Sequence, residues 1–405
     1  MHESEVLKMS TDFFPNNIDH NFEIPQEEYK SRLTTLQNNL HELNIDIGIA
    51  YGTPYLPGDL LYLTGYEPQL ENALVLISPE DLIVLGGPEG EGYAKEQMKI
   101  GKYRSLSELR LPDEDYPNTD FSKLANIIKE LTKSRPVRVA LLTDPGIFPI
   151  NWDVLIRENL SDTTQIVARP NILRNMRAKK SQVECQAIGY AAKISVEGMR
   201  AMLNLLKSDI RELEIAAEAD YVMKKMGASS FGWETIILSG ERINTVVGRA
   251  SNKIIRKGEI VLLGTSARFC GYSSTCGRTV VIGNPSKGQE EFLNHASNAY
   301  KLAVKALVYG APQKNVDLAP REYLRKQGLD IYQLYSVAHG TGITECLEGE
   351  PFTQYCKGSI PNNLAVMIDL GLFNHPVYFG ARLEDEYIID DQGITHRLSD
   401  LDLMV

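Results

Sequence analysis

A basic segment, ARPNILRNMRAKK at residues 168–180, divides this chain into two parts with different hydrophobic patterns. Short apolar runs of strand length precede it, and two long amphipathic stretches of helical period follow it. At about 100–200 residues per domain, a chain of 405 residues is long enough for two domains. The sequence therefore predicts a mobile arm at 1–21, a first domain at 22–165, a linker at 166–180 and a second domain at 181–405.

The first part alternates strand-like and helix-like segments. The stretch QEEYKSRLTTLQNNLHEL places its apolar residues at helical spacing, whereas IDIGIAY alternates as a strand does. Strands alternating with helices favour a layered α/β domain. The predicted helices are Gln26–Leu43, Phe121–Thr132 and one that begins in Tyr93–Met98, and the predicted strands are Ile45–Tyr51, Leu60–Thr64, Ala73–Ile77, Asp81–Leu85 and Val137–Leu142.

The second part begins with long helical stretches and then becomes strand-like. Ser181 followed by Glu184 three positions later is the pattern of a capping box, which predicts that a helix begins there. The predicted helices are Ser181–Leu206, Ile210–Met226 and Glu290–Leu307, and the predicted strands are Trp233–Leu238, Glu259–Leu263 and Thr279–Ile282.

Composition excludes several classes of partner and location. The net charge of −11, from 53 acidic and 42 basic residues, argues against nucleic acid or an anionic membrane as a partner. The sequence has neither a signal-peptide pattern at its start nor an apolar run of membrane-spanning length. Its five cysteines include no C-x-x-C pair, so we expect reduced thiols and a cytoplasmic protein.

Three segments of the second part share the order and spacing of a known family. They are GEIVLLGTSARFCGYSSTCGRTVVIG at 258–283, VAHGTGITECLEGEP at 337–351 and MIDLGLFNHPVYFGARLED at 367–385. Together with SGERIN at 239–244 they resemble the pita-bread hydrolases, which include creatinase, prolidase and the proline and methionine aminopeptidases. The resemblance implies an α/β N-terminal domain, which LYLTGY at 61–66 also resembles, followed by an α+β pita-bread domain with the creatinase/aminopeptidase fold.

The resemblance also implies where the family's metal ligands would lie. Metal-dependent relatives bind two divalent ions through two aspartates, one histidine and two glutamates. The corresponding positions here are Gly264, Thr275, His339, Asp369 and Glu384. Glycine offers no side-chain ligand, and a threonine hydroxyl is a poor one beside a carboxylate. We therefore expect no two-metal centre and no cofactor.

A second departure concerns proton transfer. Metal-dependent relatives and creatinase carry a further histidine about seventeen residues before the first aspartate position, and in creatinase it shuttles the proton. The aligned residue here is Val247 or Gly248. Creatine hydrolysis by the route of those relatives is therefore not expected.

The three retained positions define a predicted pocket. His339 lies in a glycine-rich loop and can act as a general acid or base. Two carboxylates in a poorly hydrated pocket cannot both stay charged without a cation. Asp369 and Glu384 therefore allow three arrangements: one carboxylate holds a proton, a cationic substrate group pairs with both, or a single metal binds both together with His339.

Further residues are predicted to contact the substrate. Glu348 is a candidate catalytic base beside His339 and Glu384. The resemblance places Arg382 near a carboxylate or peptide oxygen, and Thr275 and Cys346 stand where relatives have a metal ligand and a second histidine. Relatives form homodimers in which the N-terminal domain of one subunit caps the pocket of its partner. This implies a homodimer, with Tyr66 and its neighbours Gln69 and Glu71 in the capping loop.

Three functions remain open at this point. The leading one is a metal-independent, creatinase-like hydrolase of a C–N bond in a small cationic metabolite, such as a guanidino compound, an amidine or a cyclic amidine. The first alternative is an Xaa-Pro aminopeptidase-like or dipeptidase-like hydrolase with at most one metal. The second alternative is a catalytically inert module that binds a peptide, although an idle site has no physical need for paired buried charge.

Overall fold

The structure, a computed structural model, describes residues 13–133, 137–160 and 164–403. The described chain forms two compact units. Residues 24–177 form the N-terminal unit, and residues 13–23 together with 178–403 form the C-terminal unit. The first twelve residues of the predicted arm lie outside the described part.

Short strands and helices alternate along the N-terminal unit, as the sequence pattern predicts. In chain order they are α1 (Gln26–Glu42), β1 (Ile47–Gly52), α2 (Gly58–Thr64), β2 (Ala73–Ile77), β3 (Leu82–Gly86), α3 (Glu91–Gln97), β4 (Lys102–Ser105), α4 (Leu124–Thr132), β5 (Arg138–Leu141), α5 (Ile150–Asn159), β6 (Gln165–Ala168) and α6 (Pro170–Ala178).

Six strands of the described N-terminal unit form one mixed sheet in the order β4-β3-β2-β1-β5-β6. Strand β1 is antiparallel to β2 and parallel to β5, and every residue of β1, β2 and β3 is buried. The sequence of a central strand that is covered on both faces is a continuous apolar run, not an alternation of apolar and polar residues. One hydrophobic core joins the sheet to the helices around it and includes Trp152 and Ile156 of α5.

One prediction for this region is wrong. The run LLYLT is the end of helix α2, not a strand, and α2 is buried over most of its length. An apolar run this short is compatible with either a strand or a buried helix, so periodicity could not separate the two. The predicted linker at 166–180 contains most of strand β6, which pairs with β5, and helix α6. Two of its basic residues, Arg174 and Arg177, lie on α6, whereas Arg169, Lys179 and Lys180 lie outside the strand and the helix.

The C-terminal unit begins with long helices, and the predicted capping box is confirmed. The Oγ atom of Ser181 accepts from the backbone N–H of Glu184, whose carboxylate accepts from the backbone N–H of Ser181. The elements are α7 (Gln182–Leu205), α8 (Glu212–Lys225), β7 (Ser230–Phe231), β8 (Ile236–Ser239), β9 (Ile260–Phe269), β10 (Tyr272–Val281), α9 (Lys287–Ala306), α10 (Asn315–Lys326), β11 (Ala338–Gly340), β12 (Leu364–His375), β13 (Phe379–Ile389) and β14 (Thr395–Arg397).

The strands of this unit form one sheet in the order β11-β12-β13-β10-β9-β7, with β14 paired to β13 and β8 to β9. Helix α7 packs on β9 and β10, and α9 packs on β12 and β13. The core under α9 includes Ile368, Leu370 and Leu383. Because side chains alternate along a strand, Asp369 and Glu384 point to the opposite face of the sheet.

The segment before residue 24 is packed against the C-terminal unit where it is described. The ring of Phe22 lies 5.0 Å from that of Tyr190 on α7, and Phe14 is buried. Cys270 donates to the backbone oxygen of Phe22. In the described residues, none of the helices is both long enough and apolar enough to cross a membrane.

Candidate functional site

Three adjacent strands bring the predicted histidine and carboxylates together. His339 lies on β11, Asp369 on β12 and Glu384 on β13, and Asp369 is directly opposite Glu384 in the register. His339 is paired with Met367, two residues before Asp369, so all three side chains lie on the face opposite α9. One ligating atom from each lies within 4.8 Å of the others.

The carboxylate of Asp369 has two polar neighbours. The hydroxyl of Tyr335 donates to Asp369 Oδ1 at 3.0 Å, and Arg382 Nε lies 3.4 Å from the same oxygen. Arg382 also donates to the Tyr335 hydroxyl, at 3.2 and 3.0 Å. The guanidinium therefore balances the charge of Asp369 inside the pocket, where an unpaired charge would be costly.

Glu384 is buried in a different environment. In the described residues its Oε2 atom has no hydrogen-bond partner. Burial, followed by the charge of Asp369, raises the pKa of Glu384 well above its usual range. The side chain uses space left by Gly277, because a Cβ atom at that glycine would lie 2.7 Å from Glu384 Cβ. Glu384 therefore has unused capacity to bind a proton or a cation, and the buried Oε2 atom of Glu386 on the same strand also lacks a partner among the described residues.

The positions of the two absent aspartates have different surroundings. A Cβ atom on Gly264 would lie 2.7 Å from Cη2 of Trp233, so an indole ring occupies the space in which that side chain would begin. Thr275 Oγ1 lies 3.1 Å from Ser266 Oγ and 3.5 Å from Glu345 Oε1. That carboxylate oxygen lies 3.7 Å from Nε2 of His339, which places Thr275 at the edge of the cluster.

The glycines that follow His339 are needed by the loop itself. A Cβ atom on Gly340 would lie 1.8 Å from the backbone oxygen of Glu348, and one on Gly342 would lie 2.8 Å from Cε of Lys180. Glu348 is buried and accepts from the backbone N–H and hydroxyl of Thr344, at 2.9 and 2.8 Å. The carboxylate of Glu348 thus fixes the loop that follows β11, the strand of His339. The catalytic role of Glu348 stays a prediction.

Cys346 and Tyr66 complete the predicted set. Although much of Cys346 is exposed, desolvation of its thiol and the charges of Glu345 and Glu348 raise its pKa to about 11, which disfavours a thiolate. Tyr66 belongs to the N-terminal unit, where burial and the charge of Glu71 raise its pKa to about 12. Its place in a capped pocket therefore stays a prediction.

Tyr335 and Trp233 belong to the site, but no sequence motif predicts either of them. Tyr335 lies four positions before His339, and Trp233 stands where the sequence predicts only the start of a strand. Glu386 is also buried, accepts a hydrogen bond from Thr341, and has its carboxyl pKa raised by burial to about 8. No signal in a single sequence links these residues to the cluster.

These contacts decide which metal sites the residues fit. A pair of ions needs bridging carboxylates, yet Gly264 and Thr275 supply none and Trp233 fills the first position. The two-metal centre therefore does not fit this chain. A single ion does fit the donor set, because a histidine and two carboxylates lie close enough for one ion to reach all three.

The sheet, its covering helices and the retained cluster define a class of hydrolase fold, and comparison with known families agrees. Residues 186–391 match the metallopeptidase family M24, and the chain belongs to this family. The pita-bread fold expected from the sequence is thereby confirmed.

Two relatives similar in sequence to this chain are named as peptidases. The Xaa-Pro dipeptidase of Pyrococcus furiosus is 31% identical over 223 residues, which are 55% of this chain and 64% of that protein. The uncharacterized peptidase YqhT of Bacillus subtilis is 30% identical over 240 residues, which are 58% of this chain and 67% of that protein. This chain therefore matches slightly less than two thirds of the dipeptidase.

Solved structures agree over a longer stretch. The prolidase of Pyrococcus horikoshii has a TM-score of 0.78 at 24% identity and covers 92% of this chain and 99% of its own. The X-Pro aminopeptidase of Thermotoga maritima gives the same score and coverages at 21% identity. At these identities the likeness establishes the fold alone. It extends the fold assignment to both units.

Proposed function

We propose that this protein hydrolyses a peptide C–N bond in short substrates of the Xaa-Pro type, with one metal ion rather than two. The observation that carries the proposal is the cluster of His339, Asp369 and Glu384, whose ligating atoms lie within 4.8 Å of one another. Relatives named Xaa-Pro dipeptidases support the substrate class. These relatives favour the Xaa-Pro peptidase, which the sequence analysis gives as its first alternative, over the creatinase-like hydrolase of guanidino compounds, which it gives as its leading function.

Each residue of the cluster has a distinct part in this proposal. A single metal ion held by His339, Asp369 and Glu384 would supply Lewis-acid polarisation of the scissile carbonyl. Tyr335 and Arg382 fix the carboxylate of Asp369 through the contacts at 3.0 and 3.4 Å. Burial raises the pKa of Glu384 in the metal-free pocket, so its carboxyl would release a proton on becoming a metal ligand.

The experiment compares dipeptides that differ only at the second residue. Protein freed of metal is reloaded with manganese, cobalt or zinc and tested on Ala-Pro and Ala-Ala. The proposal expects hydrolysis of Ala-Pro that depends on metal and is inhibited by a chelator. Hydrolysis of neither peptide with any of the three metals would contradict it.

A metal-free reaction on a cationic substrate is the second candidate, because one observation favours it. Glu384 Oε2 is buried and has no hydrogen-bond partner among the residues that the structure describes, while Arg382 already balances Asp369. A guanidinium or amidinium group could pair with Glu384. Hydrolysis of a guanidino compound or a cyclic amidine that resists chelator would favour this candidate. Tight binding of a peptide with no turnover would favour the inert module.

The expected homodimer belongs to the same proposal. Light scattering combined with size-exclusion chromatography tests it directly, since one chain has a mass of 45.3 kDa. The capping role of Tyr66 is tested by Tyr66→Phe, which should raise KM if its hydroxyl contacts the substrate across the dimer. An unchanged KM in a dimeric protein would remove Tyr66 from the site.

A further inference from the structure

Four positions form a row across the sheet on the face that carries the cluster. Gly264 on β9 is paired with Gly277 on β10, which is paired with Glu384 on β13, and Glu384 is paired with Asp369 on β12. Directly paired residues of neighbouring strands have their side chains on the same face of a sheet. Two glycines therefore leave a trough beside two carboxylates.

Different groups occupy the two halves of the trough. Glu384 leans over Gly277, where a Cβ atom would lie 3.0 Å from Glu384 Oε2. The indole of Trp233 lies over Gly264, where a Cβ atom would lie 2.7 Å from Cη2 and 3.3 Å from Cζ3. A contact of 2.7 Å is far below the usual carbon–carbon separation of about 3.5–4.0 Å. The indole of Trp233 in its present position therefore leaves no room for a side chain at position 264.

The position of Trp233 is set by its packing. It lies three residues before Ile236, which begins β8 and is paired with Gly264. Trp233 is partly buried and packs against an apolar cluster on the same face of the sheet. The buried members of that cluster are Ile236, Leu238, Ile243, Ile260, Leu262 and Phe373.

The ring changes the chemistry of this end of the pocket. Carbon atoms supply no metal ligand, and the only polar atom of an indole is an N–H donor that cannot coordinate a cation. We propose that Trp233 blocks the ligand position at residue 264, so that carboxylates restored at positions 264 and 275 would not rebuild a second metal site while the indole is present. This exclusion of metal is independent of the proposed peptidase activity.

The first test measures the steric relationship without metal. In the wild-type background, Gly264→Ala should lower the melting temperature by several degrees, because its methyl group meets the indole. In a Trp233→Ala background, the same change should cost little. This double-mutant cycle isolates the pair. Equal costs in the two backgrounds would overturn the proposal.

The second test counts bound metal. Metal-free protein is titrated with manganese, and bound ions are counted by mass spectrometry of the intact protein. We expect at most one equivalent for the wild type, for Trp233→Ala and for Gly264→Asp/Thr275→Asp with the indole retained. Adding Trp233→Ala to that double variant should raise the count to two. Two equivalents with Trp233 in place, or no gain without it, would overturn the proposal whether or not the protein cleaves peptides.

Discussion

The hydroxyl of Tyr335 donates to Asp369 Oδ1 at 3.0 Å and accepts from the guanidinium of Arg382 at the same time. Burial and the charge of Asp369 raise the pKa of Tyr335 well above its usual range, so the phenol stays protonated and remains a donor. One hydroxyl thus joins the carboxylate of β12 to the arginine of β13. The orientation of Asp369 depends on this bridge.

Replacing Tyr335 by phenylalanine should therefore weaken the site without unfolding the protein. Hydrogen bonds to charged groups contribute about 1.5–3 kcal/mol. Since about 1.4 kcal/mol is a factor of ten, we expect kcat/KM to fall roughly ten-fold or more. Tyr332→Phe is the matched control, because Tyr332 packs in an aromatic cluster beside His375. Equal rates in the two variants would show that the bridge has no part in function.

His339 should be needed for turnover and not for folding. Because His339 is one of the three proposed metal ligands, the account predicts that His339→Ala lowers the rate to background. It should also reduce bound metal while leaving the melting temperature nearly unchanged. His295→Ala is the control, because the ring of His295 contacts Tyr323 between helices α9 and α10. A His339→Ala variant as active as the wild type would contradict the assignment.

The Glu384→Gln variant tests whether Glu384 supports activity at a cost to the stability of the fold. The carboxylate is buried and, within the described part of the chain, its Oε2 atom has no hydrogen-bond partner, so the neutral amide relieves a desolvation cost. We expect the metal-free variant to melt at the same temperature as the wild type or a few degrees higher, and to lose most of its activity. Thermal melting and a peptide assay on the same preparation measure both. A large drop in melting temperature with activity retained would show that Glu384 serves the fold alone.

Asp385 predicts an acid-sensitive contribution to stability. Burial acts to raise the pKa of Asp385, but Arg278 at 2.8 Å and Arg397 at 2.6 Å outweigh it and hold the pKa below its usual value. A lowered pKa stabilises the folded state above the unfolded-state pKa of about 3.9. This contribution is lost as the pH falls from about 4 through the folded-state pKa.

The free energy of unfolding should therefore decline below pH 4 in the wild type. In Asp385→Asn that decline should be smaller, and the variant should be less stable by about 3–5 kcal/mol at neutral pH, because two arginines lose their partner. Urea titrations at several pH values measure both quantities. Asp391→Asn, an exposed aspartate on the turn before β14, is the control. The same pH profile in both variants would refute the role of Asp385.

Part of this fold could be predicted from the sequence because local chemistry specified it. The capping box at Ser181 and Glu184 fixed the start of α7, and alternating segments indicated an α/β unit. The run at Leu60–Thr64 was assigned wrongly, because tertiary burial hides the periodicity that separates a helix from a strand. The basic composition of residues 166–180 does not show that this segment also contains a strand paired with β5 and a helix.

The site divides in the same way. His339, Asp369 and Glu384 lie in ordered motifs of a known family, so a single sequence located them. Trp233 and Tyr335 reach the pocket only through the pairing of β8 with β9 and the path of the chain before β11. Such contacts depend on strand register, which no local pattern in the sequence specifies.

The most direct measurement of the central claim is the dependence of Ala-Pro hydrolysis on the number of metal ions bound. Metal-free protein is titrated with manganese, and the rate and bound metal are recorded in the same samples. The account predicts a rate that rises to a plateau at one equivalent and stays at background in His339→Ala. A rate that needs a second equivalent, or full activity before any metal is added, would contradict it.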